Sequence, residues 1–170
     1  MPLYCSFVGW SGSGKTTLLR TVIARLSADG LRVGALKATH HDVQLDTPGK
    51  DSHTFAEAGA STVVLAAASR STVFLASDEL HAGRLSQLFG DVDIVIGESR
   101  SFTAGLRFEV ADGVGELSGL KRSVHELDAL ITDDTRLADA GHRAGLEVFS
   151  RDQGAAVAAY IRKCHESRGL

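Results

Sequence analysis

Apolar runs of strand length alternate along this chain with segments in which apolar residues recur every three or four positions. LYCSFVG (residues 3–9) predicts a buried strand feeding a helix from Gly14 to Ser27, with Leu18, Leu19, Val22, Ile23 and Leu26 on one face. Asp29-Gly30 is a stop signal for that helix, and LRVGALK (31–37) predicts a second strand. After a polar loop, KDSHTFAEAG (50–59) has the pattern of a short helix, and STVVLAA (61–67) and STVFLA (71–76) read as two short adjacent strands.

Ser77 or Asp78 is a candidate cap for a helix reaching Phe89. VDIVIG (92–97), LRFEVA (106–111) and LDALIT (127–132) predict three more strands. A helix over 133–144, a strand LEVF (146–149) and a helix from Gln153 to Cys164 complete the pattern. Residues 98–125 are the least regular part, where ADGVGELSG reads as a loop or hairpin. This alternation predicts an α/β fold, a mostly parallel sheet flanked by helices on both faces.

Composition narrows the class. A length of 170 residues fits one domain over 1–170, and a hydrophobic content of 44% with 23% charged residues is ordinary for a soluble globular chain. The formal charge of −3 supplies no basic field for nucleic acid. Cys5 and Cys164 stand far apart and form neither a metal pair nor a disulfide framework. The opening Met-Pro-Leu-Tyr-Cys lacks the charged start and apolar stretch of a signal peptide, and no run approaches the roughly 18 apolar residues of a membrane span. A cytoplasmic location without membrane contact is therefore expected.

The chemistry begins at GWSGSGKT, which satisfies G-x-x-x-x-G-K-[ST] between a predicted strand and an amphipathic helix. Gly9, Gly12 and Gly14 let backbone N–H groups, with those of Ser11, Ser13 and Thr17, curl around a phosphate. The helix N-terminus adds partial positive charge. Lys15 is placed for the β and γ phosphates, and the Thr16 hydroxyl for magnesium. A magnesium site also needs a carboxylate near the phosphates. Asp93 begins the apolar run and belongs at its far end, whereas Glu98 ends it and is the better placed.

Downstream, LKATHHDVQLDTPGKDSHTFAEAGA (36–60) gathers Lys37, His40, His41, Asp46, Lys50, Asp51 and His53 in and after a loop that follows the second strand. Such loops lie over the ligand crevice of open α/β sheets. Neighbouring histidines in an extended chain point opposite ways, which argues against a two-histidine chelate. Contact with phosphate or substrate is the favoured reading, with Lys37 and Lys50 as cations and Asp51 as a magnesium or water partner.

GWSGSGKTTLL, LKATHHD, DTPGKDS and AGAS, in unbroken order over residues 4–67, closely resemble the molybdopterin-guanine dinucleotide biosynthesis protein B (MobB) family. The resemblance implies a three-layer P-loop NTPase fold and a homodimer that binds GTP and Mg2+ and hydrolyses GTP weakly. It also implies an adaptor role beside a MobA-type guanylyltransferase that joins GMP to molybdopterin. Gly12, Gly14, Lys15 and Thr16 would hold the phosphates and magnesium, and Asp51 would be a candidate for the metal shell. The family usually carries valine-glutamate-glycine, often followed by phenylalanine and lysine, where this chain reads Ile96-Gly97-Glu98-Ser99-Arg100. Glu98 keeps its place and its neighbours depart from the pattern.

No asparagine-lysine-x-aspartate string is present to read guanine. LITDD (130–134) falls where such a loop would lie, so Asp133 or Asp134 is a candidate for the base, with a helix N-cap as the competing role. Small-molecule kinases share the phosphate loop but need lid arginines, and here the arginines are scattered. A nickel metallochaperone GTPase is the other alternative, invited by His40 and His41.

Overall fold

The computed structural model describes residues 1–39, 43–75, 82–98, 105–113 and 115–169. Its contacts divide the chain into two compact units, Met1–Ala38 with Phe89–Leu170, and Thr39–Leu88.

The first unit contains β1 (Leu3–Val8), α1 (Lys15–Ala28) and β2 (Val33–Lys37), and the second contains α2 (Asp51–Glu57), β3 (Thr62–Ala66), β4 (Ser71–Leu75) and α3 (Ala82–Leu88). The chain returns to the first unit with β5 (Ile94–Glu98), β6 (Leu106–Val110), β7 (Ala129–Ile131), α4 (Thr135–Arg143), β8 (Glu147–Phe149) and α5 (Gly154–Glu166).

Six strands form one sheet in the order β2-β5-β1-β6-β7-β8, every neighbouring pair parallel. β1 lies inside it, with Cys5 opposite Ile96 on one side and Leu106 on the other. Alternate positions point to one face, so Leu3, Cys5, Phe7, Ile94, Ile96, Phe108 and Ile131 are all buried together. Leu18, Val22 and Leu26 of α1 and Val157, Ala158 and Ile161 of α5 close over that face. Phe7 stacks on Phe108 with ring centroids 4.4 Å apart, and Tyr160 meets Phe108 edge-on. On the opposite face Leu130, Leu137 and Leu146 form a smaller cluster beneath α4. The mostly parallel, helix-flanked sheet expected from the sequence is thus the observed fold.

The opposite face of the middle strands includes buried polar side chains. Ser6 of β1 and Glu109 of β6 are both fully buried. ADGVGELSG (111–119), expected as a loop or hairpin, has no strand among its described residues; Leu117–Gly119 is a 3₁₀ turn, and a second follows at Val124–Glu126.

In the second unit β3 and β4 make an antiparallel hairpin, with Val64 opposite Val73. Val64, Leu65 and Val73 are exposed. α2 begins behind a turn ordered by Asp46, which accepts from the Thr47 N–H and the Ser52 hydroxyl. The proposed cap at Ser77 or Asp78 lies outside the described residues, and α3 is observed from Ala82.

Candidate functional site

The loop between β1 and α1 takes its shape from glycine. Gly12 and Gly14 have φ of 80° and 88°, a left-handed backbone that side chains with a Cβ rarely adopt. A Cβ on Gly9 would lie 2.2 Å from the Val110 carbonyl oxygen, so only glycine lets the loop pass the end of β6. Gly14 caps α1 without any side-chain acceptor for the first-turn amides, which leaves those N–H groups for a ligand.

Lys15 is buried, and its ammonium donates to the Gly9 carbonyl at 3.1 Å, to the Trp10 carbonyl at 2.7 Å and to the Ser13 hydroxyl at 3.3 Å. These contacts hold it across the mouth of the loop. Burial, more than any neighbouring charge, lowers its pKa; Glu98 opposes the shift while Lys121 and Lys37 add to it. Glu98, the last residue of β5, lies 3.8 Å from the Lys15 ammonium and 3.9 Å from that of Lys37 at the end of β2. A cavity of about 330 Å³ opens here, lined by Ser11, Gly12, Gly14, Lys15, Thr16, Thr17, Lys37 and Glu98. Three adjacent parallel strands deliver these residues to one edge, because their C-terminal ends all point the same way.

The donor set fits a magnesium–triphosphate. Free amides, a lysine and a hydroxyl meet at the cavity, and Thr16 and Glu98 are hard oxygen donors of the kind magnesium takes. Among the described residues no three His, Cys, Asp or Glu converge as an all-protein metal cage. Magnesium typically relies on one or two protein oxygens, with phosphate and water completing the shell.

The remaining sequence candidates fall in several places. His40 and His41 lie outside the described residues. Lys50 and Asp51 belong to the second unit, at the N-cap and first position of α2. Asp134 is the N-cap of α4 and accepts from the Arg136 and Leu137 amides. Asp133 instead holds Arg151, accepting from its backbone N–H at 2.9 Å and its Nε at 2.6 Å, and these bonds keep its carboxyl below the usual range. Arg151 also meets Asp112 at 2.7 Å. Asp93 lies at the opposite end of β5, as expected, bound to Arg32.

Sequence reasoning missed the wall beside the loop. Trp10 is half-exposed, its indole N–H donates to the Gly119 carbonyl, and the Lys121 ammonium sits 4.5 Å over its ring. The backbone amides of Lys121 and Arg122 donate to the two carboxylate oxygens of Glu109, and Arg122 reaches Ser6. The available signal was a charged residue in mid-strand, Glu109 between Phe108 and Val110.

A glycine loop between a parallel strand and its helix, with lysine, threonine and a carboxylate around an open cavity, defines a P-loop nucleotide-binding protein. Residues 4–133 match the family described as molybdopterin guanine dinucleotide synthesis protein B, and the chain belongs to that MobB family. It is 49% identical over 65 residues to the molybdopterin-guanine dinucleotide biosynthesis adapter protein of Escherichia coli, a stretch covering 38% of this chain and 37% of that protein. The Haemophilus influenzae adapter protein is 53% identical over 58 residues, 34% of this chain and 33% of its own. These matches therefore span only about a third of either relative. A crystal structure of molybdopterin-guanine biosynthesis protein B superposes with a TM-score of 0.73 at 26% identity, covering 96% of this chain and 99% of that one. Bacillus subtilis MobB shares the fold, with a TM-score of 0.67 at 24% identity over 95% and 97% of the two chains.

Proposed function

We propose that this chain is a GTP-binding adaptor in molybdenum cofactor biosynthesis, a weak Mg2+-dependent GTPase that assists the attachment of GMP to molybdopterin. The observation that carries the reading is the convergence of Lys15, Thr16, Lys37 and Glu98 on one glycine-lined cavity. The adapter role named for the E. coli and H. influenzae relatives supports the pathway.

Bound magnesium–GTP supplies the triphosphate charge and the scissile γ-phosphate. The chain's residues position it. Loop amides would donate to the phosphate oxygens, Lys15 would offset their charge, and the Thr16 hydroxyl would hold the metal. Glu98 would complete the metal shell or orient water; Asp51, in the GKDS stretch of the second unit, stays the other candidate that the family resemblance names. Lys37 and Lys50 are the candidate cations for phosphate or substrate, with His40 and His41 as further candidates for that contact. Asp133 is the candidate for guanine, which would have to share it with Arg151.

Weak hydrolysis is the expectation that the family resemblance carries. Among the described residues Arg107 is bound to Asp128, and Arg70 and Arg84 belong to the second unit. A holding site that acts through a partner, a MobA-type guanylyltransferase, is the consistent role. Val64, Leu65 and Val73 on the hairpin are the apolar surface for homodimerisation. The test is capture of the guanylyltransferase by this protein with and without GTP. GTP-dependent capture is expected, and capture indifferent to nucleotide contradicts the adaptor role.

A further inference from the structure

Lys121 is fixed at its backbone and loosely held at its ammonium. Glu109, wholly buried, accepts from the Lys121 N–H at 2.6 Å and from the Arg122 N–H at 2.9 Å. The chain is thereby pinned where it passes the phosphate loop, and the Trp10 indole N–H bonded to Gly119 pins it again. From that anchor the Lys121 side chain runs onto the Trp10 ring, its Nζ 4.5 Å from the centroid. Among the described residues no carboxylate pairs with that ammonium.

Charge at the cavity is short of what a triphosphate demands. Lys15 and Lys37 share one carboxylate, Glu98, at 3.8 and 3.9 Å, so the trio carries a net charge of about +1 near neutral pH. A nucleoside triphosphate brings several negative charges. An ammonium resting on a half-exposed ring gains less than one bonded to a phosphate oxygen, so a phosphate within reach would draw it off.

We propose that Lys121 is a further phosphate-binding residue of this site, a cation stored on Trp10 that moves to the polyphosphate when ligand enters the loop. The inference rests on the triphosphate reading of the cavity. Trp10, on whose ring the ammonium rests, is itself a residue of the phosphate loop, between Gly9 and Ser11. Trp10 is the sole tryptophan of the sequence, so its fluorescence reports the departure of the ammonium from its ring.

The experiment titrates wild type, Lys121→Gln and Lys121→Arg with inorganic tripolyphosphate and with GTP, in magnesium, by calorimetry and by Trp10 emission. Lys121→Gln is expected to weaken both ligands about tenfold and to lose most of the emission change, while Lys121→Arg stays within about threefold of wild type. A Lys121→Gln variant that binds tripolyphosphate within about twofold of wild type overturns the proposal. Wild type that binds tripolyphosphate but not GTP, with the Lys121→Gln loss intact, supports Lys121 and removes the nucleotide reading. Wild type that binds neither overturns both.

Discussion

The phosphate loop and the wall beside it are held by opposite means. Every polar partner of the Lys15 ammonium within the loop is two to six residues away, and the loop's turns are made by glycines inside the same short stretch. The wall depends on distant parts of the chain. Trp10 and Gly119 are 109 positions apart, Ser6 and Arg122 are 116 apart, and one buried carboxylate on β6 ties the segment down. A locally encoded loop keeps its shape through many changes elsewhere. A wall tied down by such long-range bonds does not, and its Glu109 anchor can be changed without changing any residue of the loop.

Substitutions separate the two. Lys15→Ala removes a charge-assisted bond worth about 3 kcal/mol and is expected to raise the Kd for GTP by roughly a hundredfold or more in calorimetry, with folding intact. Glu98→Gln should slow single-turnover GTP hydrolysis by about thirtyfold and weaken its magnesium dependence. Asp51→Asn tests the other candidate carboxylate, and a larger loss there would favour Asp51 over Glu98. Glu109→Leu strips two amides of their acceptor and should cost about 2 kcal/mol in urea denaturation. It should also shift Trp10 emission while the loop still binds tripolyphosphate. An unchanged spectrum would separate the wall from the loop.

The smallest effect lies at the far end of β5. Hydrogen bonds from the Arg32 side chain and backbone lower the Asp93 pKa. A carboxylate so lowered stabilises the fold above its unfolded value near 3.9, and that contribution is lost as pH falls through the folded value. Asp93→Asn is expected to lower stability at neutral pH by less than about 1 kcal/mol, because the pair is largely exposed, and to flatten the acid limb of the stability curve below about pH 4.

The same contrast explains what could be read from the sequence. The loop, the strand before it and the helix after it were legible because periodicity and motif are local properties. Glu98 was legible because a parallel strand delivers its last residue to the crevice, and it lies 3.8 Å from Lys15. The β3–β4 hairpin was legible from two matched apolar runs. The roles of Glu109, Lys121 and Arg151 were not, because each depends on which strands become neighbours, and no spacing along the chain encodes that order. LITDD could be read only to a choice between cap and ligand. Asp134 caps, and Asp133 is drawn to Arg151, 18 positions later.

Calorimetric titration of the wild-type protein with GTP in magnesium tests the central claim most directly. One saturable site per chain is expected, displaced by excess tripolyphosphate. An absence of binding at any magnesium concentration, or binding that tripolyphosphate leaves untouched, contradicts a triphosphate held by Lys15, Thr16 and Glu98.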